Sequence, residues 1–340
     1  MGPGGTSTAV RESEDMSTRM TDAAAVRGPA VTVLGECVAD AFTEHPPDGR
    51  ELTLRVLPGG GPANTAVALA RLGTPTRFRG RISDDVFGGL FRTRLAASGV
   101  DLTGCVSAAE PSTLAVADVD ARGHATYSFH AEGAADWQWT AEELAAAAPD
   151  DAACLHTGSL ALIREPGGRR VEEHLAAVRE RATVSVDPNV RPLLVPPAAY
   201  RARLARWCAL ADILRLSEDD LGHLMPGASP EAACDAWHAA GARLVVVTLG
   251  GRGALASLDG TRVAVPAAPT AVVDTVGAGD SFTAGLLHAL ARLGRLGGRL
   301  EALTAEETAA SCAYASRVAA ATCAVPGADP PWVQDVGAFG

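Results

Sequence analysis

The chain has 340 residues, 47% of them apolar, and a formal net charge of −11. That length suits one large or two ordinary domains around a packed core, and the acidic balance argues against a nucleic-acid backbone or an anionic membrane as partner, since both reward clustered positive charge. The sequence contains no lysine, so all 29 of its Lys-plus-Arg positions are arginine; this excludes a phosphate-loop lysine, the strand lysine of protein kinases and any Schiff-base chemistry.

Residues 1–29 mix Gly, Ser, Thr, Arg and acids without an apolar run, which predicts a disordered extension in place of a signal peptide. No apolar run approaches the roughly 20 residues of a membrane span. The seven cysteines form no C-x-x-C pair, so neither zinc nor a disulfide framework is expected and a reduced, cytoplasmic protein fits best. Val31–Leu34 predicts a buried strand ending at Gly35, with Asp40 just beyond it. In GRELTLRVLPGGGPANTAVALARLG, Leu52, Leu54 and Val56 alternate as a half-exposed strand, and the chain turns on Gly59–Gly61 into a helix with Pro62 in its first turn and Gly73 beyond its end. TRFRGRISDDVFGGLFRTRLAASGV repeats strand then helix, and STLAVADVDARGHATYSFH reads as a hairpin turning near Arg122-Gly123. The polar-faced strand regions, about residues 40–58 and 110–132, are expected to form a small separate sheet.

From residue 150 onward the rhythm is regular. AACLHTGS, TVSVDPN, DILRLSE and RLVVVTLGG are short apolar strands separated by helical segments such as GGRRVEEHLAAVRERA. This predicts an α/β domain over about residues 30–335 with a mainly parallel sheet, helices on both faces and functional residues at the carboxyl ends of the strands.

The stretch DTVGAGDSFTAGLL begins at residue 274. Phe282, Leu286 and Leu290 repeat at helical spacing, so one face of the helix is anchored. Its first turn leaves N–H groups unpaired, and Gly277 and Gly279 carry no side chain to block an anion. Asp280 has two readings: an acid complementing the helix dipole, or a base beside donors that hold a transferring phosphoryl group. The preceding G-A-G favours the second, because a cap needs no close backbone approach.

This stretch resembles the C-terminal signature of the ribokinase-like (PfkB) carbohydrate kinases, and GGGPANTAVALARLG resembles their N-terminal signature. The likeness extends over roughly residues 30–331. It implies a ribokinase-like three-layer α/β fold, with a mainly parallel central sheet flanked by helices and a small β lid that closes over the sugar and excludes water. It implies ATP and Mg2+ as cofactors, Asp280 as general base, Gly277, Ala278 and Gly279 as an anion hole, and Asp274 with the Val276 carbonyl as a site for a monovalent cation such as K+. For the sugar it implies Asp40, Gly60, Gly61 and Asn64, whose carboxylate and amide suit a polyol.

SVDPNVRPLL places Asp187, Asn189 and Arg191 after a strand and resembles the D-x-N-x-R segment of fructokinase-like members. Without lysine, Arg191 is the candidate side-chain phosphate contact, a surface salt bridge being its other reading. LRLSEDDL stands where the family carries N-x-x-E; Ser217 and Asp220 form the corresponding pair, with Glu218 nearby, to organise Mg2+ through water. VVVTLGGRGAL places Thr248, Gly250 and Gly253 along ATP, and Ser316 stands where relatives commonly carry an adenine-side asparagine.

GGGPAN, GRISDDVFG, YSFHAEGAADWQW and DPNVRP resemble fructokinases more than ribokinases, so phosphorylation of fructose to fructose 6-phosphate is the first expectation. A 2-keto-3-deoxygluconate kinase, or another ketose, ribose or nucleoside kinase, comes second. A non-catalytic sugar-sensing homologue is disfavoured by the intact Asp280 and G-A-G, and a Rossmann oxidoreductase by the lack of G-x-G-x-x-G after Gly35. Trp137 and Trp139 are read as packing residues, with a sugar wall as the other reading. An ordinary aspartate pKa of about 3.9 would keep Asp280 ionised at neutral pH. In many relatives the lid also carries a dimer contact, so the expected partners are a small sugar, ATP and a second copy of the chain.

Overall fold

The computed structural model describes residues 30–44, 51–119, 125–146 and 152–340. Its strands are β1 Ala30–Leu34, β2 Val38–Glu44, β3 Thr53–Gly59, β4 Thr76–Arg79, β5 Arg81–Ser83, β6 Val106–Ala108, β7 Thr113–Val119, β8 Ala125–His130, β9 Ala152–Gly158, β10 Thr183–Asp187, β11 Ile213–Ser217, β12 Leu244–Thr248, β13 Ala254–Leu258 and β14 Thr261–Val265. Eight of them form the central sheet, in the order β14-β13-β12-β11-β10-β9-β1-β4. From β4 to β12 every neighbouring pair is parallel, and β13 and β14 add an antiparallel edge.

The near-continuous apolar strands are explained by burial on both faces. Leu244 and Val246 enter one core cluster while Val245 and Val247 enter the other, as a period of two requires. Helices Gly61–Arg71, Ala278–Arg292 and Ala305–Cys323 cover the first face; Gly167–Val178, Pro197–Leu210 and Pro230–Ala240 cover the second. Each fully buried Val or Leu contributes about 1.5–3 kcal/mol relative to exposure. The result is the three-layer α/β arrangement expected from the alternating elements.

The polar-faced strands form a second sheet in the order β3-β2-β7-β8. β2 pairs antiparallel with β3 and parallel with β7, and β7 pairs antiparallel with β8. The turn expected at Arg122-Gly123 and the extension expected over residues 1–29 lie outside the described residues. Asp85 helps root this sheet: it caps the helix Val86–Ala97 by accepting from Gly88 N–H and also takes the Ser112 N–H and hydroxyl, each at 2.8 Å. Ser112 directly precedes β7.

Three local features differ from the sequence reading. TRFRGRIS makes two strands, β4 and β5, the second pairing with β6. β13 and β14 form a hairpin through Asp259-Gly260, both at positive φ, a D-G turn signal that the sequence reading leaves unused. The segment Ala135–Trp137 is a 3-10 turn, and Trp137 and Trp139 are both buried in the core, the Trp137 ring nitrogen donating to Ala131 O at 2.8 Å. These tryptophans pack; they do not wall a sugar site. All seven cysteines are unpaired, and among the described residues no helix is long and apolar enough to cross a membrane.

Candidate active site

A cleft of about 570 Å³ opens at the carboxyl ends of the parallel strands, bounded on one side by β2 and β7 of the second sheet. The helix Ala278–Arg292 points its start into it. Gly277 caps this helix in the left-handed conformation, φ 77, which turns the chain from Asp274 into the helix at little steric cost. Asp280, in the first turn, is half-buried. Asn64 Nδ2 donates to its Oδ2 at 2.9 Å, and the Thr65 hydroxyl donates to its backbone carbonyl at 3.4 Å. Burial pushes the Asp280 pKa up to about 7; the Asp187 charge adds to the rise, while the Asn64 hydrogen bond, Arg191 and Arg215 oppose it. The expectation of an ordinary, untuned carboxylate is therefore corrected by desolvation, which disfavours the charged form.

Arg215 is the main component that sequence reading missed. It lies on β11, 5% exposed, and Nη1 donates to Asp187 Oδ2 at 2.8 Å while Nη2 donates to Thr248 Oγ1 at 2.7 Å. Its guanidinium lies so close to Gly279 that a Cβ there would approach Nη1 to 2.8 Å. Gly279 thus makes room for the buried Arg215 guanidinium, and Arg215 ties together the ends of β10 and β12 beside the helix start. The signal was present in DILRLSE, as a lone charge within an otherwise apolar buried strand. Within the first turn, the Ala278 N–H donates to Thr275 O at 3.2 Å, which leaves the Gly279 and Asp280 N–H groups as the donors without an intrahelical acceptor.

In the turn that opens the helix Gly61–Arg71, Gly60 has φ 103, and a Cβ there would come within 2.6 Å of the Glu36 carbonyl. A Cβ on Gly61 would strike Asn189 Nδ2 at 2.6 Å and lie 3.3 Å from Asp280 Oδ1. Asn189, at φ 43, therefore stands beside Gly61 and Asp280. Asp40 belongs to β2 and borders the cleft; burial pushes its pKa up to about 6, with Arg191 pulling it down. Arg191 also borders the cleft, where its guanidinium donates only long bonds to the carbonyls of Asn189 and Val190. Asp187 lies behind Asn189, accepting its N–H at 3.1 Å; burial raises its pKa, and the Arg215 guanidinium opposes the rise.

The remaining predicted residues separate into two groups. Ser217, Glu218, Asp220, Thr248, Gly250 and Val276 border the cleft. Asp220 is engaged by protein donors: Oδ2 accepts the Ser217 N–H and hydroxyl in a capping box and Oδ1 accepts the Val190 N–H at 2.7 Å. Glu218 is paired with Arg252. Gly253, Ser316 and Asp274 are not brought to the cleft wall. Gly253 packs under Val265 O, and the Ser316 hydroxyl accepts the Ala268 N–H at 2.8 Å, tying the segment after β14 to the helix Ala305–Cys323. Asp274 lies behind Val276, accepting N–H groups from Val276 and Gly327, and these bonds hold its pKa low. Among the described residues no cluster of three or more His, Cys, Asp or Glu has metal-binding geometry.

A family model for the pfkB family carbohydrate kinases matches residues 29–335. The fructokinase of Rhizobium leguminosarum bv. trifolii is 39% identical over 233 residues, 68% of this chain and 71% of that protein. A crystal structure of the fructokinase from Xylella fastidiosa with bound ATP matches with a TM-score of 0.81 at 27% identity, covering 90% of this chain and 96% of that one. A double mutant of the fructokinase from Vibrio cholerae O395, with fructose, ADP and a potassium ion bound, matches with a TM-score of 0.77 at 28% identity, covering 92% and 98%. The family match spans the central sheet, the second sheet and both halves of the cleft, so the chain belongs to the pfkB family of carbohydrate kinases, phosphotransferases that act on a sugar hydroxyl.

Proposed function

We propose that the chain transfers the γ-phosphoryl group of ATP to fructose, giving fructose 6-phosphate. The observation that carries this reading is the Asn64–Asp280 contact, which sets the raised-pKa carboxylate of the helix start beside the Gly60–Gly61 turn. A hydroxyl laid against Gly61 reaches Asp280, which takes its proton as the oxygen attacks phosphorus in line. The Gly279 and Asp280 N–H groups face the charge that develops on the phosphoryl oxygens. Arg215 adds fixed positive charge at that end of the cleft, and Thr248 and Gly250 line the nucleotide side. The fructokinase relatives, with ATP or fructose and ADP bound in their crystal structures, support the choice of both substrates.

Mg2+ belongs to this reading. A divalent cation would neutralise phosphate charge there; Asp219, together with Glu218, which is also paired with Arg252, borders the cleft and would hold it through water, because Asp220 is engaged by Ser217 and Val190. Asp274 and the Val276 carbonyl are the residues for a monovalent cation. The four-stranded sheet is read as the lid; the exposed Leu54, Leu57 and Tyr127 offer apolar surface for a second copy, which sedimentation at several concentrations tests. Seven unpaired thiols fit a reducing cytoplasm.

One observation favours a second acceptor. Arg191 faces the cleft without a carboxylate within ion-pair distance among the described residues, which suits the acid group of 2-keto-3-deoxygluconate. Coupled ADP release with fructose, ribose, tagatose, adenosine and 2-keto-3-deoxygluconate decides between them. Turnover of fructose at the highest kcat/KM is expected, and preference for the sugar acid would replace fructose as the substrate.

A further inference from the structure

Residues 327–330, beyond the helix Ala305–Cys323, pack against the start of the helix Ala278–Arg292. A Cβ built on Gly277 would stand 2.8 Å from the Ala328 Cβ and 3.1 Å from its Cα, so Ala328 backs the glycine that caps this helix. The Gly327 N–H donates to Asp274 Oδ2 at 2.8 Å, and the Cys323 carbonyl accepts the Val273 and Asp274 N–H groups at 2.8 and 3.2 Å. The chain leading into Gly277 is thus held by residues 323–328.

Two arginines hold that segment in turn. Arg94, on the helix Val86–Ala97, donates from Nη2 to the Ala328 carbonyl. Arg71, the last residue of the helix Gly61–Arg71, donates from Nη1 to Asp329 Oδ1 at 2.7 Å and to the Pro330 carbonyl at 2.6 Å, and from Nε to the Ser98 hydroxyl at 3.2 Å. Neither arginine borders the cleft. Stability alone does not account for Arg94. Burial lowers its pKa, the Arg71 charge adds to the fall, and its Nε is buried without a hydrogen-bond partner among the described residues. The small cavity that it borders is lined mainly by apolar groups, among them Cys37, Ala63, Val67, Phe91 and Leu95, which would accept an aliphatic side chain at less cost. What arginine adds is the reach and the donor for the Ala328 carbonyl.

We propose that Arg94 and Arg71 are positioning residues for phosphoryl transfer: they clamp residues 328–330, and Ala328 in turn fixes Gly277 and the first helical turn that carries Asp280. The proposal rests on the sugar-kinase reading above, in which the Gly279 and Asp280 N–H groups face the phosphoryl oxygens.

The test uses the full chain, ATP and the sugar that the wild type turns over fastest, at a temperature where circular dichroism shows each variant folded. Arg94→Met removes the donor and keeps the aliphatic length. Its kcat is expected to fall by roughly 10- to 100-fold, the scale for a misplaced reacting group, with the sugar KM and the calorimetric ATP affinity within twofold. A merely structural role would lower Tm and leave kcat of the folded enzyme unchanged. Arg94→Lys, which keeps a donor, is expected to recover most of the loss, and Arg71→Met to lower kcat in the same way. Ala328→Gly leaves both arginines in place and removes the methyl group against Gly277; it should lower kcat with the same unchanged affinities, and it carries the test should Arg94→Met unfold. Combined with Arg94→Met, it should cost less than the product of the two single effects, because both act through one contact. An unchanged kcat in folded Arg94→Met or Ala328→Gly, or Arg94→Lys no better than Arg94→Met, overturns the proposal. Asp280→Asn runs in parallel: its near-wild-type turnover marks failure of the sugar-kinase reading and takes the proposal with it, whereas its collapse beside an unaffected Arg94→Met marks failure of the clamp alone.

Discussion

Asn64 and Asp280, 216 positions apart, meet through a 2.9 Å hydrogen bond from the amide Nδ2 to the carboxylate Oδ2. The bond occupies one carboxylate oxygen. The other lies toward Gly61, 3.3 Å from where a Cβ would stand, so a side chain at residue 61 would take the place that the proposed mechanism gives to a sugar hydroxyl. The two signature segments therefore meet at one carboxylate whose approach is kept clear by glycine, the arrangement on which the proposed proton transfer rests.

Asp280→Asn keeps the shape of the site and removes the proposed base. We expect kcat to fall by roughly 10² to 10⁴, with the affinity for ATP, measured by calorimetry, nearly unchanged. Turnover close to wild type in the coupled ADP assay would remove Asp280 from the role of base.

The raised pKa of Asp280 has a kinetic and a stability consequence, of opposite sign. As a base it must be ionised, so kcat/KM for the sugar should rise with pH and level off above about 7. For stability, a folded-state pKa above the ordinary value of 3.8 means that the native state binds the proton more tightly between those values, and stability contributed by the protonated form is lost as pH rises through about 7. Asp280→Asn should thus raise Tm at pH 8 relative to wild type, and the gain should shrink toward pH 4. A flat rate profile between pH 5 and 8, or a lower Tm for the variant at pH 8, contradicts the assignment.

Arg215 and Asp187 form a buried pair at 2.8 Å, with side chains 6% and 7% exposed. Removing one partner strands the other charge. Arg215→Met should destabilise the protein by about 3–5 kcal/mol in urea unfolding, and Arg215→Met with Asp187→Asn should cost less than the sum of the two single changes. Strict additivity would show that the pair is not coupled.

Gly60→Ala places a methyl group at φ 103 and within 2.6 Å of a backbone carbonyl. The strain alone costs about 1–3 kcal/mol, and the turn that carries Gly61 must shift. The expected result is a lower unfolding midpoint and a sugar KM raised more than the ATP KM, since the proposed reading puts the sugar against this turn. Equal effects on both KM values would place Gly60 outside sugar recognition.

Much of the architecture is legible in the order of the residues, because period and composition act locally. VVVT and ILRL are apolar on both faces, which selects a sheet covered on both sides, and the alternating Leu54 and Val56 select a strand of the second, half-exposed sheet. The G-A-G-D start is likewise local: a glycine cap and a first-turn acid need only their own backbone. The D-G hairpin of β13 and β14 was equally legible, its turn residues lying between alternating positions.

Residue order alone thus yields the layered fold, the two glycine-rich turns and the identity of Asp280 as the acid to watch. Packing in three dimensions sets which partners each group meets. Arg215 becomes the cation beside Gly279 because β10, β11 and β12 lie side by side. Glu36 reaches Ala161 because β1 and β9 are neighbours. Asp280 acquires a pKa near 7 because packing removes water from its carboxylate. Hydrogen-bond pairing and desolvation depend on distances through space, and the chain order carries those distances only after it has folded.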